Sequence, residues 1–445
     1  LKYFWLLILF CGINTQAQNR NGLSDKNTSV ESEKKREAVS VFDFGAKGDG
    51  NTDDTPAIQK AINSGRPITF GVGVFLVKSL KLPYSFKGLS IQGAGFNHWT
   101  KDAGTVLKAI SESPILTAET GCDFVKITGL RFEGNNLSST GIDGAFGAAF
   151  NLENVGFYNF TEFGFKSSQG LCRVRACFFG NNKIGFQMFS DSTFTDSEIT
   201  GGEVALKIVA GGNRVNNVWL NGATEHSILL QPYDNETNHQ NTSLANLYVE
   251  DVLGKGIAKD ILLIQGSADR RVQQVRISNC FFSHTISTEN SNTILRIENA
   301  DEIIISENNI LGQHTYATSK TYTKNFIAAN NSNNLKVANN IVKGINMSPI
   351  VLLNSFDVSI IGNDFIDCAG RQEDAIIQLV SRGNSLRTFI TSNRFIDYRK
   401  YSTTYALQTD HDSGFVFQNN FIQYPNSAVV KDFAKKEIKT SNNFR

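Results

Sequence analysis

One pattern of apolar and polar positions recurs along most of the 445-residue chain: apolar, any residue, apolar, two residues, asparagine, then an apolar strand. It reads "VRISNCFF" at Asn279, "IIISENNIL" at Asn308, "LKVANNIV" at Asn339, "VSIIGNDFI" at Asn363, "TFITSNRFI" at Asn393 and "FVFQNNFI" at Asn419. Upstream it persists at Asn154, Asn217 and Asn246, with Gly129, Ala176 and Asp196 in the same column. Successive landmarks lie 20 to 33 residues apart. Short alternating strands at that period, without helical segments between them, predict a parallel β-helix in which each coil supplies three strands and three turns. Asparagine suits the tight turn because it tolerates left-handed backbone angles and bonds locally. Stacked at ~4.8 Å, the amides can also form a ladder.

The strand after each asparagine is rich in phenylalanine: Phe132, Phe157, Phe179, Phe282, Phe365, Phe395 and Phe421. These are expected to stack inside the coil. Cys177 and Cys280 share a column several coils apart, too far for a disulfide. Beyond residue 17 the cysteines number five, an odd count, and most have apolar neighbours, so buried free thiols are expected.

The stretch "VSVFDFGAKGDGNTDDTPAIQKAI", residues 39–62, opens the repeat region. "VSVFDF" alternates and reads as a strand, and "GAKGDG" as a turn needing positive φ at a glycine. Thr55 is the expected N-cap, with Pro56 at the first helical position. Ile58, Ala61 and Ile62 fall on one face of the helix. Two aspartates at the helix start would repel phosphate. A calcium loop fails because Asp54 and Lys60 stand where glycine and glutamate are needed. The segment therefore reads as an end-piece that shields the open end of the coil.

This stretch closely resembles the amino-terminal signature of the pectate-lyase-like superfamily of right-handed β-helix proteins, in its rhamnogalacturonase/epimerase-like branch, which also includes phage tailspike depolymerases. "RPITFGVGVFLVKSLKLP" and "LSIQGAG" look like that family's first coils. The resemblance implies an all-β fold, a single-stranded right-handed parallel β-helix of about twelve coils over residues 39–445, with an N-terminal capping helix. It also implies a partner that is a polysaccharide, cleaved or only bound.

Composition sharpens this. Lys plus Arg total 43 against 42 for Asp plus Glu, so no global field draws nucleic acid. An apolar run from Tyr3 to Ile13 followed by Thr15-Gln16-Ala17 reads as a secretory signal over residues 1–17, and residues 18–38 as a flexible polar leader. No other run is long and apolar enough to span a bilayer, so an exported protein is expected.

Candidate chemistry falls on the strand preceding each landmark strand. Lys166, Gln187 and Lys207 align there as polar hooks, beside Gly164, Gly185 and Ala205, an expected shallow trough suited to an anionic sugar. The longest insertion, residues 231–243, carries Tyr233, Asp234 and His239 as further binding candidates. Glu225 with Glu203, Glu250 or Asp251 provides candidate acid/base pairs, because adjacent coils sit ~4.8 Å apart and glycoside cleavage uses paired carboxylates. His226 is a candidate base for β-elimination beside a uronate. No zinc-type spacing is present. No cofactor is expected, with Ca²⁺ entering only for a lyase. The sequence leaves three functions open: an endo-acting glycoside hydrolase of an acidic polysaccharide, a polysaccharide lyase, and a non-catalytic glycan-binding or structural β-helix.

Overall fold

The computed structural model describes residues 37–445 except 83–87, 119–121, 145–149, 234–238, 251–259, 284–291, 313–322, 370–374, 381–386, 400–404, 410–414, 424–429, 433–439 and 442–445. The chain divides into units 1–37 and 38–445, and the fold below is that of the second. The candidates Asp234 and Asp251 lie outside the described residues.

All pairings between the named strands are parallel, and they build a parallel β-helix. One sheet of 14 strands, from Leu80–Leu82 to Val430–Asp432, forms the first face. A 27-stranded sheet wraps the rest of the coil and bends sharply once per turn. It therefore presents a second face before the bend and a third face after it. The first face has two rungs beyond the twelve landmarks, and they lie at its two ends.

The bend explains the asparagines, and it splits the predicted single column into two. Asn154, Ala176, Asp196, Asn217, Asn246, Asn279, Glu307, Asn339, Gly362, Ser392 and Asn419 hold left-handed angles, with φ between 50° and 68°. The next residue points inward and is buried: Asn308, Asn340, Asn363, Asn393 and Asn420. Each amide Nδ2 of this inner set donates to the Oδ1 of the next, at 2.9 Å for Asn308 to Asn340 and 3.1 Å for Asn393 to Asn420. Each Oδ1 also accepts the backbone N–H of the preceding rung, as Asn363 does from Asn340 at 3.0 Å. The ladder is thus internal and satisfied, which a buried amide requires. Asn308, Asn363 and Asn393 belong to it, one residue past the bend. Upstream, Ser197 Oγ accepts from the Cys177 N–H at 3.0 Å in the same position.

The phenylalanine column stacks as expected: Phe132 on Phe157 at 5.1 Å, Phe157 on Phe179 at 5.0 Å, Phe365 on Phe395 at 5.4 Å. Phe421 is a correction. Because Asn419 sits at the bend, Phe421 pairs with Arg394 on the outside, and Ile422 takes the inner place. The five described cysteines are free and buried, and burial pushes the Cys177 and Cys368 thiols up to about 12.

Of the strand expected over residues 39–44, only Val39–Ser40 forms; Val41–Phe44 is a 3₁₀ turn, because Asp43 accepts the Ser40 N–H at 3.0 Å and Ser40 Oγ accepts from Phe42, and a short strand follows at Asp49–Asp53. Gly45, Gly48 and Gly50 all take positive φ. Buried Asp54 accepts the Lys47 and Gly48 N–H groups at 2.7 and 3.0 Å, closing the turn. Thr55 begins the helix Thr55–Asn63 rather than capping it, and Asp53 accepts the Thr55 N–H. Ile58 and Ile62 pack onto Leu80, Leu107 and Phe132 and plug the coil. No helix among the described residues is long and apolar enough to cross a membrane.

Candidate functional site

The first face carries an outward row in continuous register: Asp143, Lys166, Gln187, Lys207, Leu229, Leu263, Arg296, Ala328, Val351, Gln378. The three predicted hooks are therefore neighbours. Lys166 reaches Asp143 at 3.3 Å. Gln187 is only 3% exposed, and its Nε2 has no partner among the described residues. Lys207 is half-buried, and desolvation lowers its pKa; no carboxylate pairs with it among the described residues. Tyr233 packs edge-on against Phe189 at 5.8 Å, and its N–H donates to Val209 O, two residues past Lys207. It stands at the border of the row and is 51% exposed.

The predicted trough is not there. A methyl group on Gly164 would lie 3.0 Å from the core ring of Phe179, and Ala205 is fully buried. Residues 164 and 165 turn inward in succession, so strict alternation fails at this point of the strand. The same break recurs at Ala205–Leu206 and Ser227–Ile228.

Along one rim, just before these strands, lie Glu203 and Glu225, on adjacent coils: the Glu225 N–H donates to Glu203 O at 2.8 Å. Glu203 is exposed and Glu225 half-buried. His226 follows and is buried, with Nδ1 2.5 Å from the Asp260 carbonyl oxygen. Glu250 lies on the third face, accepting from Trp219 Nε1 at 3.1 Å, and its backbone carbonyl accepts the Gly222 N–H at 3.2 Å, three residues before Glu225. One correction arises here. His239 is 1% exposed, and burial depresses it to about 4, so it is a neutral structural residue with no surface to offer a ligand.

Sequence reasoning missed the densest cluster on the face. Asp260, on the same rim, accepts from Arg296 Nε and Nη2 and from the Thr293 N–H at 3.2 Å. The Asp260 hydrogen bond raises the Arg296 pKa further. Glu298 Oε1 lies 3.9 Å from Arg296 Nη1. Both carboxylates contact one guanidinium, so their nearest oxygens fall inside the roughly 9.5 Å limit for carboxylate pairs that cleave glycosides. Beside them opens a hollow of about 330 Å³, lined by Lys324, Asn325, Ala328, Ser348 and Gln378 among others. Ser348 Oγ is buried and unpartnered among the described residues. Only the register could have found this pair, because Asp260 and Arg296 lie 36 residues apart in the chain. Among the described residues no group of three or more His, Cys, Asp or Glu is placed to hold a metal.

Comparisons with known proteins follow the fold. A tailspike of Pseudomonas phage phi297 has a similar structure, with a TM-score of 0.54 at 12% identity, covering 91% of this chain and 83% of that one. The A-module of a mannuronan C-5 epimerase of Azotobacter vinelandii covers 91% of this chain and 98% of its own, at 17% identity and a TM-score of 0.42. The pre-neck appendage protein of Bacillus phage phi29 is 36% identical over 115 residues, 25% of this chain; the match spans only 13% of that protein's length. Residues 38–258, which fall within the β-helix, match the family described as rhamnogalacturonase A/epimerase, pectate lyase-like.

Proposed function

We propose that the chain is an exported, carbohydrate-active enzyme that cleaves glycosidic bonds of an acidic polysaccharide laid along the first face. The observation that carries this reading is the Asp260–Arg296–Glu298 cluster beside its hollow, in line with Lys166 and Lys207. One carboxylate protonates the leaving oxygen while the other activates water or attacks the anomeric carbon. Asp260 is held in place by Arg296 and the Thr293 N–H, whereas Glu298 lines the hollow and is more open, at 32% exposure. The row from Lys166 to Arg296 spans five rungs, about 24 Å. Such a length receives the middle of a chain, which favours endo-cleavage. The family's name, which pairs a rhamnogalacturonase with an epimerase, supports a sugar-polymer substrate.

A lyase reading keeps the same face, because Lys207 and Arg296 could offset a uronate carboxylate. The two are separated by their products on polygalacturonate and alginate: an eliminase leaves an unsaturated, ultraviolet-absorbing end, and a hydrolase does not. Glu298→Gln is expected to lower turnover by roughly 10²–10⁴-fold while binding persists. Unchanged turnover would remove the pair from the mechanism.

A further inference from the structure

Only two tryptophans occur among the described residues, and both are exposed: Trp219 at 40% and Trp99 at 88%. Tryptophan is ordinarily well covered in a folded chain. Trp219 lies on the outer side of the third face, and Trp99 sits in a loop that meets the same side through His98, away from the row described above. There Phe178, Glu198, Trp219, Tyr248 and Phe281 form one column in register, with Gly180, Thr200, Asn221, Glu250 and Ser283 beside it. Tyr248 stacks on Phe281 at 4.9 Å and meets Trp219 edge-on at 6.2 Å. Trp99 extends the strip at its upper end. Its neighbour His98 lies 4.8 Å from the Phe178 ring and hydrogen-bonds Tyr158 Oη at 2.6 Å.

The rings are held in place rather than loosely exposed. Glu250 accepts from the Trp219 indole N–H at 3.1 Å, fixing its plane. The Trp99 and Thr100 N–H groups both donate to Asn97 Oδ1 at 2.8 Å. Gly180 leaves the seat for Tyr158: a methyl group there would stand 2.5 Å from that ring.

Between Phe178 and Ser283 the two columns contain no lysine or arginine. Their only charges are Glu198 and Glu250, interleaved with the side-chain oxygens of Thr200, Asn221 and Ser283. Flat rings flanked by hydrogen-bond acceptors suit a ligand with apolar ring faces and hydroxyl edges. The acids repel a polyanion. An interface core between proteins, by contrast, is depleted of such carboxylates.

We propose that this strip is a second glycan-binding surface, taking an uncharged polysaccharide chain that lies along the rungs with sugar faces on Trp219, Tyr248 and Trp99. It does not rest on the cleavage reading, since it lies on another face and asks for the opposite ligand charge.

The test is affinity electrophoresis of the full chain in gels containing hydroxyethylcellulose, soluble xylan, galactomannan or polygalacturonate. At least one neutral polymer is expected to retard the wild type. Trp219→Ala and, independently, Trp99→Ala are expected to weaken that retardation roughly tenfold or more. Lys207→Gln should leave it unchanged. The proposal is overturned if no neutral polymer retards the wild type, or if both tryptophan variants bind as wild type does. Sedimentation of Trp219→Ala supplies a further check: dissociation of a wild-type assembly into single chains would make the strip a self-association surface and overturn the proposal.

Discussion

The imidazole of His226 donates from Nδ1 to the backbone carbonyl of Asp260 on the next rung, 2.5 Å away. A carbonyl oxygen can only accept, so this bond fixes the tautomer and ties the rim at Asp260 to the strand His226–Leu230. On the proposed cleavage reading, this bond to the Asp260 backbone makes His226 a positioning group for Asp260.

That assignment predicts a particular pH profile. His226→Ala should lower kcat by about tenfold to a hundredfold through a misplaced Asp260. It should cost about 1–2 kcal/mol in urea unfolding. The shape of the residual pH–rate curve should match the wild type. Disappearance of its acid limb would restore His226 to the role of base.

Lys207 titrates abnormally because it is half-buried, which lowers its pKa from the ordinary lysine value. A lysine depressed in this way weakens the fold while charged, and stability rises as pH climbs through its folded pKa. Anion binding runs the other way, since only the ammonium attracts a uronate. Affinity for polygalacturonate should decline with rising pH earlier than an exposed lysine would allow. Lys207→Arg should move that decline to more alkaline pH, and Lys207→Met should raise KM about tenfold at neutral pH. Equal KM values for wild type and Lys207→Met would separate this residue from the substrate.

How much of this was legible depended on whether a residue's role follows from its own chemistry. The bend is readable because few side chains tolerate its backbone angles, hence Asn154 and Asn217. The one-residue shift at Asn308, Asn363 and Asn393 was not readable, since asparagine serves equally at the bend and in the buried ladder beside it. Lys166, Gln187 and Lys207 fell into register because their coils differ by only 20–21 residues. Asp260 and Arg296 are 36 residues apart, and loop length, not pattern, decides their meeting. The inward turn at Gly164 is invisible in the sequence because strand geometry alone implies alternation, which this strand breaks. Trp219 and Tyr248 carry no signal either, because the strand after the bend is patterned by the phenylalanines it sends inward, and an outward ring looks like any exposed position.

Buried His239, in the middle insertion, makes the fold sensitive to acid. It has no hydrogen bond to either ring nitrogen among the described residues, and its pKa is depressed to about 4. Unfolded, it would titrate near 6.5. The unfolded chain then binds a proton that the folded chain refuses, so this residue's effect on stability worsens as pH falls from about 6.5 to about 4 and is level below that. The full loss is about 3 kcal/mol. His239→Gln should flatten that segment of the urea-midpoint curve relative to wild type; parallel curves for the two proteins would show that His239 is not the group responsible.

The inner ladder offers the sharpest stability test. Asn363 Oδ1 accepts from both the Asn340 N–H and Asn340 Nδ2, while its own Nδ2 donates to Asn393 Oδ1 at 3.0 Å and to Val337 O at 2.9 Å. Asn363→Ala strands buried groups on both sides and should cost about 3 kcal/mol or more. Asn363→Ser should recover part of this, because a serine hydroxyl already accepts the equivalent N–H at Ser197. Asn419→Gly, at the bend, should be nearly neutral, since glycine takes the left-handed angle that Asn419 holds at 54°. Chemical unfolding of the three variants checks the order. A loss at Asn419→Gly as large as that at Asn363→Ala would mean that the amides at the bend, not the buried row, hold the coils together.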